Sequence, residues 1–153
     1  MDNKNITFVN GENKFNFRVA ILIENKGRFL LETAGEFWNM IGGRVQFGES
    51  SLDAAKRELI EELDIEVDNL TLINVSENFF QWMGKKQQEM LFVYKATLSD
   101  KYEITSKDEF KCLDTDEVFK WHDKASIEGL VCRPEIIKKL IFQNKIISHH
   151  IEG

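Results

Sequence analysis

The stretch from Gly43 to Ile65 constrains the fold of this chain more than any other part of the sequence. Its residues, GRVQFGESSLDAAKRELIEELDI, predict a tight glycine turn, a loop and then a helix with two unlike faces. Ala55, Leu59 and Leu63 lie within about 60° of Leu52 on a helical wheel, which makes an apolar stripe. This stripe is predicted to pack against a hydrophobic core.

The same helix carries three glutamates on a different side. Glu58, Glu61 and Glu62 stand at positions i, i+3 and i+4, so their carboxylates are predicted to meet in space. Like charges at this spacing cost an exposed helix roughly 0.2–0.5 kcal/mol per pair, and a divalent cation reverses the sign of that effect. Mg²⁺ prefers carboxylate oxygens and often takes phosphate oxygens of a substrate as well. The spacing alone fits a metal site and also a solvated acidic face.

Local features predict where this helix begins. Ser50 is the predicted N-cap, and Asp53 three residues later completes an arrangement similar to a capping box, which starts the helix near Ser51. Upstream, Gly42 and Gly43 are predicted to take backbone conformations closed to other residues and to approach a ligand closely.

The order of residue types across the stretch resembles the Nudix box, Gly-x5-Glu-x7-Arg-Glu-U-x-Glu-Glu-x-Gly-U, where U is a bulky aliphatic residue. The matching residues are Gly43, Glu49, Arg57, Glu58, Leu59, Glu61, Glu62 and Ile65. Asp64 is the departure, because the family has glycine there. The resemblance implies an α/β fold, the Nudix-type α/β/α sandwich with a mixed β-sheet, over roughly residues 16–142.

The resemblance also implies roles for the box residues. The expected ligands of Mg²⁺ or Mn²⁺ are Gly42, through its carbonyl, Glu49, Glu58, Glu61 and Glu62. Among these, Glu58 and Glu62 are expected to be the main ligands. Arg57 is expected to hold the carboxylates in place by charge-assisted hydrogen bonds rather than to touch the substrate.

Nudix proteins hydrolyse nucleoside diphosphates linked to another moiety, with water attacking a bridging phosphorus. The resemblance therefore implies a divalent-metal-dependent pyrophosphohydrolase. The box does not recognise the other moiety, so the substrate stays open between nucleoside triphosphates and nucleotide sugars. A non-catalytic, nucleotide-binding regulatory module with the same fold is the alternative. Loss of box carboxylates would favour that alternative, and here they are all present.

Outside the box, Nudix enzymes often take a further carboxylate from a later loop or strand as a metal ligand or general base. Glu89 begins a predicted central strand, and Glu117 stands at the start of a short strand, Glu117–Trp121, that is predicted to be the last. We expect Glu117 to be the additional catalytic carboxylate, because functional groups are commonly displayed on the loop side of a strand.

Patterns of apolar residues predict the other elements. The predicted strands are Ile6–Val9, Phe15–Glu24, Arg28–Glu32, Leu70–Glu77 and Glu89–Leu98, and Pro134 opens a predicted helix, Glu135–Gln143. Residues 99–116 are predicted to be a long polar connection. Residues 78–86 are predicted to form an aromatic and then basic loop. Its Phe79, Phe80 and Trp82 are either core residues at a strand end or a wall that binds the base of a substrate.

Composition limits the class of protein. A chain of 153 residues suits one domain, residues 1–153, and a net charge of −6 argues against binding a nucleic-acid polymer. No apolar run is long enough to span a membrane and no signal-peptide pattern is visible, so a cytoplasmic protein is expected. Cys112 and Cys132 are expected to be free buried thiols. The oligomeric state stays open, and a homodimer is compatible with the sequence.

Overall fold

A computed structural model describes residues 4–153 and shows ten strands and three α-helices over that range. The strands are β1 (Thr7–Asn10), β2 (Asn13–Asn25), β3 (Arg28–Thr33), β4 (Trp38–Asn39), β5 (Ile41–Arg44), β6 (Thr71–Trp82), β7 (Lys85–Thr97), β8 (Glu109–Lys111), β9 (Val118–Asp123) and β10 (Ile147–Glu152). The helices are α1 (Ser51–Leu63), α2 (Lys124–Glu128) and α3 (Ile136–Gln143), and Glu103–Ser106 forms a short 3₁₀ helix.

The strands form one mixed sheet with β2 at its centre. Its main order is β10-β6-β7-β2-β3-β9-β8, while β1 and β5 also pair with β2, and β4 pairs with β3. Strand β2 runs parallel to β7, and β10 runs parallel to β6, whereas the other pairs are antiparallel. Because β5 pairs with the middle of β2, the segment that precedes α1 is fixed at the centre of the sheet.

Side chains on β2 alternate between two hydrophobic layers. Val19 and Ile21 pack in the layer that contains the apolar residues of α1. Ala20 and Leu22 pack in the opposite layer, which contains the apolar residues of α2 and α3. Alternation with period two explains this division. Helices therefore cover both faces of the sheet, and the predicted α/β/α sandwich is confirmed.

The central helix begins and ends as its sequence indicates. The Ser50 hydroxyl accepts a hydrogen bond from the Asp53 N–H at 3.0 Å, and the helix starts at Ser51. The predicted stripe is buried at Ala55, Leu59 and Leu63. After Leu63 the backbone turns left-handed at Asp64, with φ 53° and ψ 42°. Asp64 thus occupies the conformation that glycine favours at a helix C-terminus.

The prediction of a loop over residues 78–86 is wrong. Strand β6 continues to Trp82, and β7 already begins at Lys85, so the two form one long hairpin. Its turn has two residues, Met83 and Gly84, with φ values of 49° and 74°. Positive φ at both central residues is the geometry of the tight hairpin turn, and methionine seldom adopts it, which is why the sequence did not reveal the turn.

The C-terminal half also holds more regular structure than predicted. Residues 99–116 contain the 3₁₀ helix and β8, which pairs with β9. The strand after Glu117 is not the last, because β10 follows α3. Cys112 and Cys132 are buried and free, as predicted. Over residues 4–153 none of the helices is both long and apolar enough to cross a membrane.

Candidate metal centre

One guanidinium group organises the box carboxylates. Arg57 donates two hydrogen bonds to Glu49, from Nε to Oε2 at 3.1 Å and from Nη2 to Oε1 at 2.7 Å. Its Nη1 donates to Glu58 Oε1 at 3.0 Å and to Glu61 Oε2 at 3.2 Å. Its Nη2 also donates to the Arg44 carbonyl at 2.9 Å, which ties the helix to β5. A fork of several donors can hold several acceptors at once, and an ammonium group would not reproduce this geometry.

The contacts of Arg57 set the charge state of Glu49. Hydrogen bonds from Arg57 hold the pKa of the Glu49 carboxyl below its usual range, and the Gln46 N–H, at 2.8 Å from Glu49 Oε1, acts in the same direction. The bond with Glu49 likewise raises the pKa of Arg57. Glu49 is therefore a stable anion that anchors Arg57 in front of the helix.

The three clustered glutamates of α1 do not share one environment. Glu58 and Glu62 are buried, whereas 44% of the Glu61 side chain is exposed. Burial raises the pKa of Glu58, and Arg57 partly offsets that effect. Burial, followed by repulsion from Glu58, raises the pKa of Glu62 to about 8. Ionisation is therefore least favourable at Glu62 among the glutamates of this helix, and a nearby cation would offset that unfavourable energy.

The glycine pair lies in β5, where Gly43 is paired with Val19 and Gly42 with Ala20. Neither glycine has a positive φ, so the prediction of backbone conformations closed to other residues is wrong. The reason for glycine is space. A Cβ on Gly43 would lie 2.0 Å from Glu58 Oε1, and a Cβ on Gly42 would lie 2.1 Å from the Val19 carbonyl oxygen. The Glu58 carboxylate thus rests directly on the backbone of Gly43, whereas β2 lies against Gly42.

A second group of carboxylates lies on the other side of Glu62. Oxygen atoms of Glu62, Glu117 and Glu32 all lie within 4.8 Å of one another. The structure therefore places Glu117 beside the box helix. Burial raises the pKa of Glu32 to about 10, with a hydrogen bond to Glu117 as the next cause. The Sγ of Cys112 also lies 3.9 Å from Glu62 Oε1.

Glu32 is the site residue that the sequence interpretation missed. It is 5% exposed, and it lies two residues after Leu30, which belongs to the core layer on the α1 side. A period of two along β3 therefore points Glu32 toward α1 as well. A charged residue at an inward position directly after the apolar run Phe29–Leu31 was the available signal.

Glu89, the alternative extra carboxylate, lies elsewhere. It follows the same alternation along β7 as Leu91 and Val93, whose side chains pack with α2 and α3. Its Oε1 lies 3.4 Å from Arg18 Nε, and its Oε2 accepts a hydrogen bond from Asn78 Nδ2 at 2.8 Å. Glu89 is thus satisfied on the sheet face opposite α1.

The three aromatic residues of the hairpin do not form one wall. Phe79 and Phe80 are adjacent on β6, so their side chains project from opposite faces of the sheet. Phe80 and Trp82 share a face, and all three rings are a little under half exposed. Trp82 contacts the edge of Phe37, just before β4, with ring centroids 6.3 Å apart. Phe79 and Phe80 also line a cavity of about 430 Å³, which no box carboxylate lines.

The residues at this centre fit a divalent cation. The Oε2 atoms of Glu32 and Glu62 are buried and have no hydrogen-bond partner among residues 4–153. Such atoms are costly to bury unless something pairs with them. The donors are all carboxylate oxygens, the type that Mg²⁺ and Mn²⁺ prefer. A hard divalent ion therefore suits the site better than a softer metal that prefers sulfur or nitrogen ligands.

Comparison with known structures identifies the fold. The crystal structure of the MutT mutator protein from Bacillus halodurans superposes with a TM-score of 0.66 at 23% identity, covering 88% of this chain and 89% of that one. The MutT NUDIX hydrolase from Burkholderia pseudomallei gives a TM-score of 0.60 at 19% identity, covering 84% and 97% of the two chains. At these identities the similarity shows the fold.

Two curated relatives share the name oxidized purine nucleoside triphosphate hydrolase. The protein from Danio rerio is 36% identical over 89 residues, which is 54% of this chain and 53% of the relative. The protein from Mus musculus is 41% identical over 59 residues, which is 39% of this chain and 36% of the relative. The matches thus span about half or less of each relative. The NUDIX domain family model matches residues 14–139, most of the chain, and the chain therefore belongs to the Nudix family.

Proposed function

We propose that this chain is a divalent-metal-dependent hydrolase that cleaves a phosphoanhydride bond of a nucleoside triphosphate. The proposal rests on two buried carboxylates of α1. Glu58 accepts a hydrogen bond from Arg57, and Glu62 has an unpaired oxygen. Burying such charges destabilises a fold that has no use for them. A site that binds a cation and a polyphosphate accounts for their arrangement.

Within this proposal the box residues divide the work of holding Mg²⁺ or Mn²⁺. Glu58 and Glu62 are the main ligands, with Glu61, Glu49 and the Gly42 carbonyl in supporting positions. When bound, the ion neutralises phosphate charge and lowers the pKa of water. Arg57 keeps Glu49, Glu58 and Glu61 aligned, so the ligands need little reorganisation when the substrate arrives. This preorganisation favours turnover over a purely regulatory role.

Glu117 has the position of a general base in this proposal. It is half-buried, lies beside Glu62 and comes from the segment just before β9. A carboxylate at the opening of the site can accept a proton from the attacking water and release it to solvent. Glu89 does not suit that role, because Arg18 and Asn78 already occupy its two oxygens.

The names of the two curated relatives support a purine nucleoside triphosphate, including one with an oxidised base, over a nucleotide sugar. We propose that Trp82 and Phe80 stack on the base, since they share one face of the hairpin and Trp82 contacts Phe37 near β4. Stacking contributes on the order of 1–3 kcal/mol per base and tolerates different bases. Phe79 projects from the opposite face and is not expected to take part.

The test is a substrate panel with Mg²⁺ or Mn²⁺. It contains purine and pyrimidine nucleoside triphosphates, an oxidised purine triphosphate, ADP-ribose and UDP-glucose, with the released phosphates identified by chromatography. We expect a triphosphate to yield a monophosphate and pyrophosphate, and Glu62→Gln to abolish most of the turnover. Binding of nucleotides without turnover under any condition would instead identify a non-catalytic module.

A further inference from the structure

Three carboxylates from three separate elements meet beside α1. Glu32 comes from β3, Glu62 from α1, and Glu117 from the segment before β9. We propose that these three residues bind one divalent cation together, so that Glu32, which lies outside the Nudix box, is a metal ligand. The inference rests on the proposed function through Glu62 and Glu117, which both share, and adds Glu32.

The spacing of the oxygen atoms fits a single ion. One oxygen from each residue lies within 4.8 Å of the other two. Mg²⁺ binds oxygen at roughly 2.0–2.1 Å, so ligands on opposite sides of it are about 4.2 Å apart, and larger hard cations need slightly more. An ion between the three oxygens would therefore reach all of them after small side-chain adjustments.

The buried carboxylates of Glu32 and Glu62 need a cation or a hydrogen-bond donor as a partner. Glu32 and Glu62 are each 5% exposed, and the Oε2 of each has no partner in the described chain. Glu117 is less buried and lies at the edge of the cluster, which leaves a route for an ion and its waters. Two buried unpaired carboxylate oxygens on adjacent members of one group are unusual in a native fold.

No ion pair within the described chain supplies the missing positive charge. Arg18 is the cation whose charge lowers the pKa of Glu62, but its salt bridge is to Glu89. Arg57 is already engaged with Glu49, Glu58 and Glu61. Across residues 4–153, no lysine, arginine or histidine forms a salt bridge with any member of the trio. Glu32 and Glu117 lie close enough to share a proton, but the Oε2 atoms of Glu32 and Glu62 stay unpaired. A cation can pair with all three residues at once.

The test measures Mn²⁺ binding by electron paramagnetic resonance on metal-free protein without nucleotide. We expect Glu32→Gln and Glu117→Gln each to raise the dissociation constant of Mn²⁺ roughly tenfold or more. Both variants should also lose most of the increase in melting temperature that Mn²⁺ gives the wild type. Glu89→Gln is the matched control, since it removes a similarly buried carboxylate from the opposite face and should bind Mn²⁺ as the wild type does.

Two results would overturn the inference. One is wild-type Mn²⁺ affinity in folded Glu32→Gln and Glu32→Asp. The other is wild-type affinity in Glu117→Gln, which decides the matter if substitution of Glu32 prevents folding. Failure of the proposed function would look different, because the wild type would then bind Mn²⁺ through Glu32 and still hydrolyse no nucleotide.

Discussion

The contact between Gly43 and Glu58 makes a sharp prediction about Gly43→Ala. The added Cβ would lie 2.0 Å from Glu58 Oε1, and an ordinary contact needs about 3.4 Å or more, so the carboxylate must retreat by about 1.4 Å. The atom that moves is the end of a side chain, so β5 keeps its pairing with β2. The displaced group is an expected metal ligand, and a misplacement of this size costs on the order of 100-fold in kcat.

Stability should change little in the same variant. Replacing a strand glycine by alanine gains roughly 0.5–1 kcal/mol of backbone entropy, which offsets the weakened bond of 3.0 Å between Glu58 and Arg57. Gly42→Ala is the contrasting control, because its Cβ meets the Val19 carbonyl oxygen at 2.1 Å and the Ala20 Cα at 3.0 Å. Backbone atoms cannot retreat alone, so Gly42→Ala should lose about 1–3 kcal/mol or more of unfolding free energy.

Denaturant titrations, steady-state kinetics and Mn²⁺ titrations on both variants test the contrast. Gly43→Ala should fold normally and lose turnover and Mn²⁺ affinity, whereas Gly42→Ala should lose stability. Near-normal kcat in Gly43→Ala would refute the idea that Glu58 is held against the glycine. A loss of stability equal to that of Gly42→Ala would show that the strand, rather than the carboxylate, takes up the strain.

Four further predictions concern single groups. Glu62→Gln should lower kcat by at least about a hundredfold and leave the melting temperature of the metal-free protein level or higher, since a buried group that is costly to ionise is removed. A large fall would make Glu62 structural. Asp64→Gly should raise the unfolding free energy by about 1 kcal/mol and keep kcat within about twofold. The reason is that Asp64 has a left-handed backbone conformation and places a negative charge at the negative end of the helix dipole. Lost stability would reveal a compensating hydrogen bond. Denaturant titrations of the metal-free protein should show a falling unfolding free energy as pH rises from 5 to 8, by up to roughly 1.4 kcal/mol per pH unit for each carboxyl. The reason is that burial raises the pKa of Glu62 to about 8 and that of Glu32 to about 10, well above the unfolded value of 4.5. Mg²⁺ should flatten this slope, and a flat profile without metal would contradict the prediction. Trp82→Ala should raise KM more than it lowers kcat, while Phe79→Ala, on the opposite face, should leave KM unchanged; equal effects would place Trp82 among the structural residues.

Features that depend on nearby residues were predictable from the sequence. The cap at Ser50, the end of α1 at Asp64 and the hairpin between β2 and β3 all follow from side-chain chemistry and turn residues within a few positions. The alternation that divides β2 between two core layers is local as well. These elements carry the α/β/α sandwich, which is why the fold class was predictable.

Features that depend on distant pairing were not predictable. Glu32 becomes part of the site only because β3 brings it beside α1 and the segment before β9, elements that are far apart in the sequence. The requirement for Gly43 comes from Glu58 across the β5–α1 contact, so no local backbone preference signals it. The tight turn at Met83 is set by the long β6–β7 pairing, which overrides the weak turn propensity of that residue.

Strand β10 has a consequence for how the protein is handled in the laboratory. It pairs with β6 opposite Asn74–Asn78 and is fastened there by Asn74, whose Nδ2 donates to the Ile147 carbonyl at 2.8 Å. Deleting Ile147–Glu152 would leave a row of β6 N–H and C=O groups open next to half-exposed Phe79 and Phe80. Such an edge is a template for strand addition by another molecule. Trimming these residues to aid crystallisation would therefore invite aggregation.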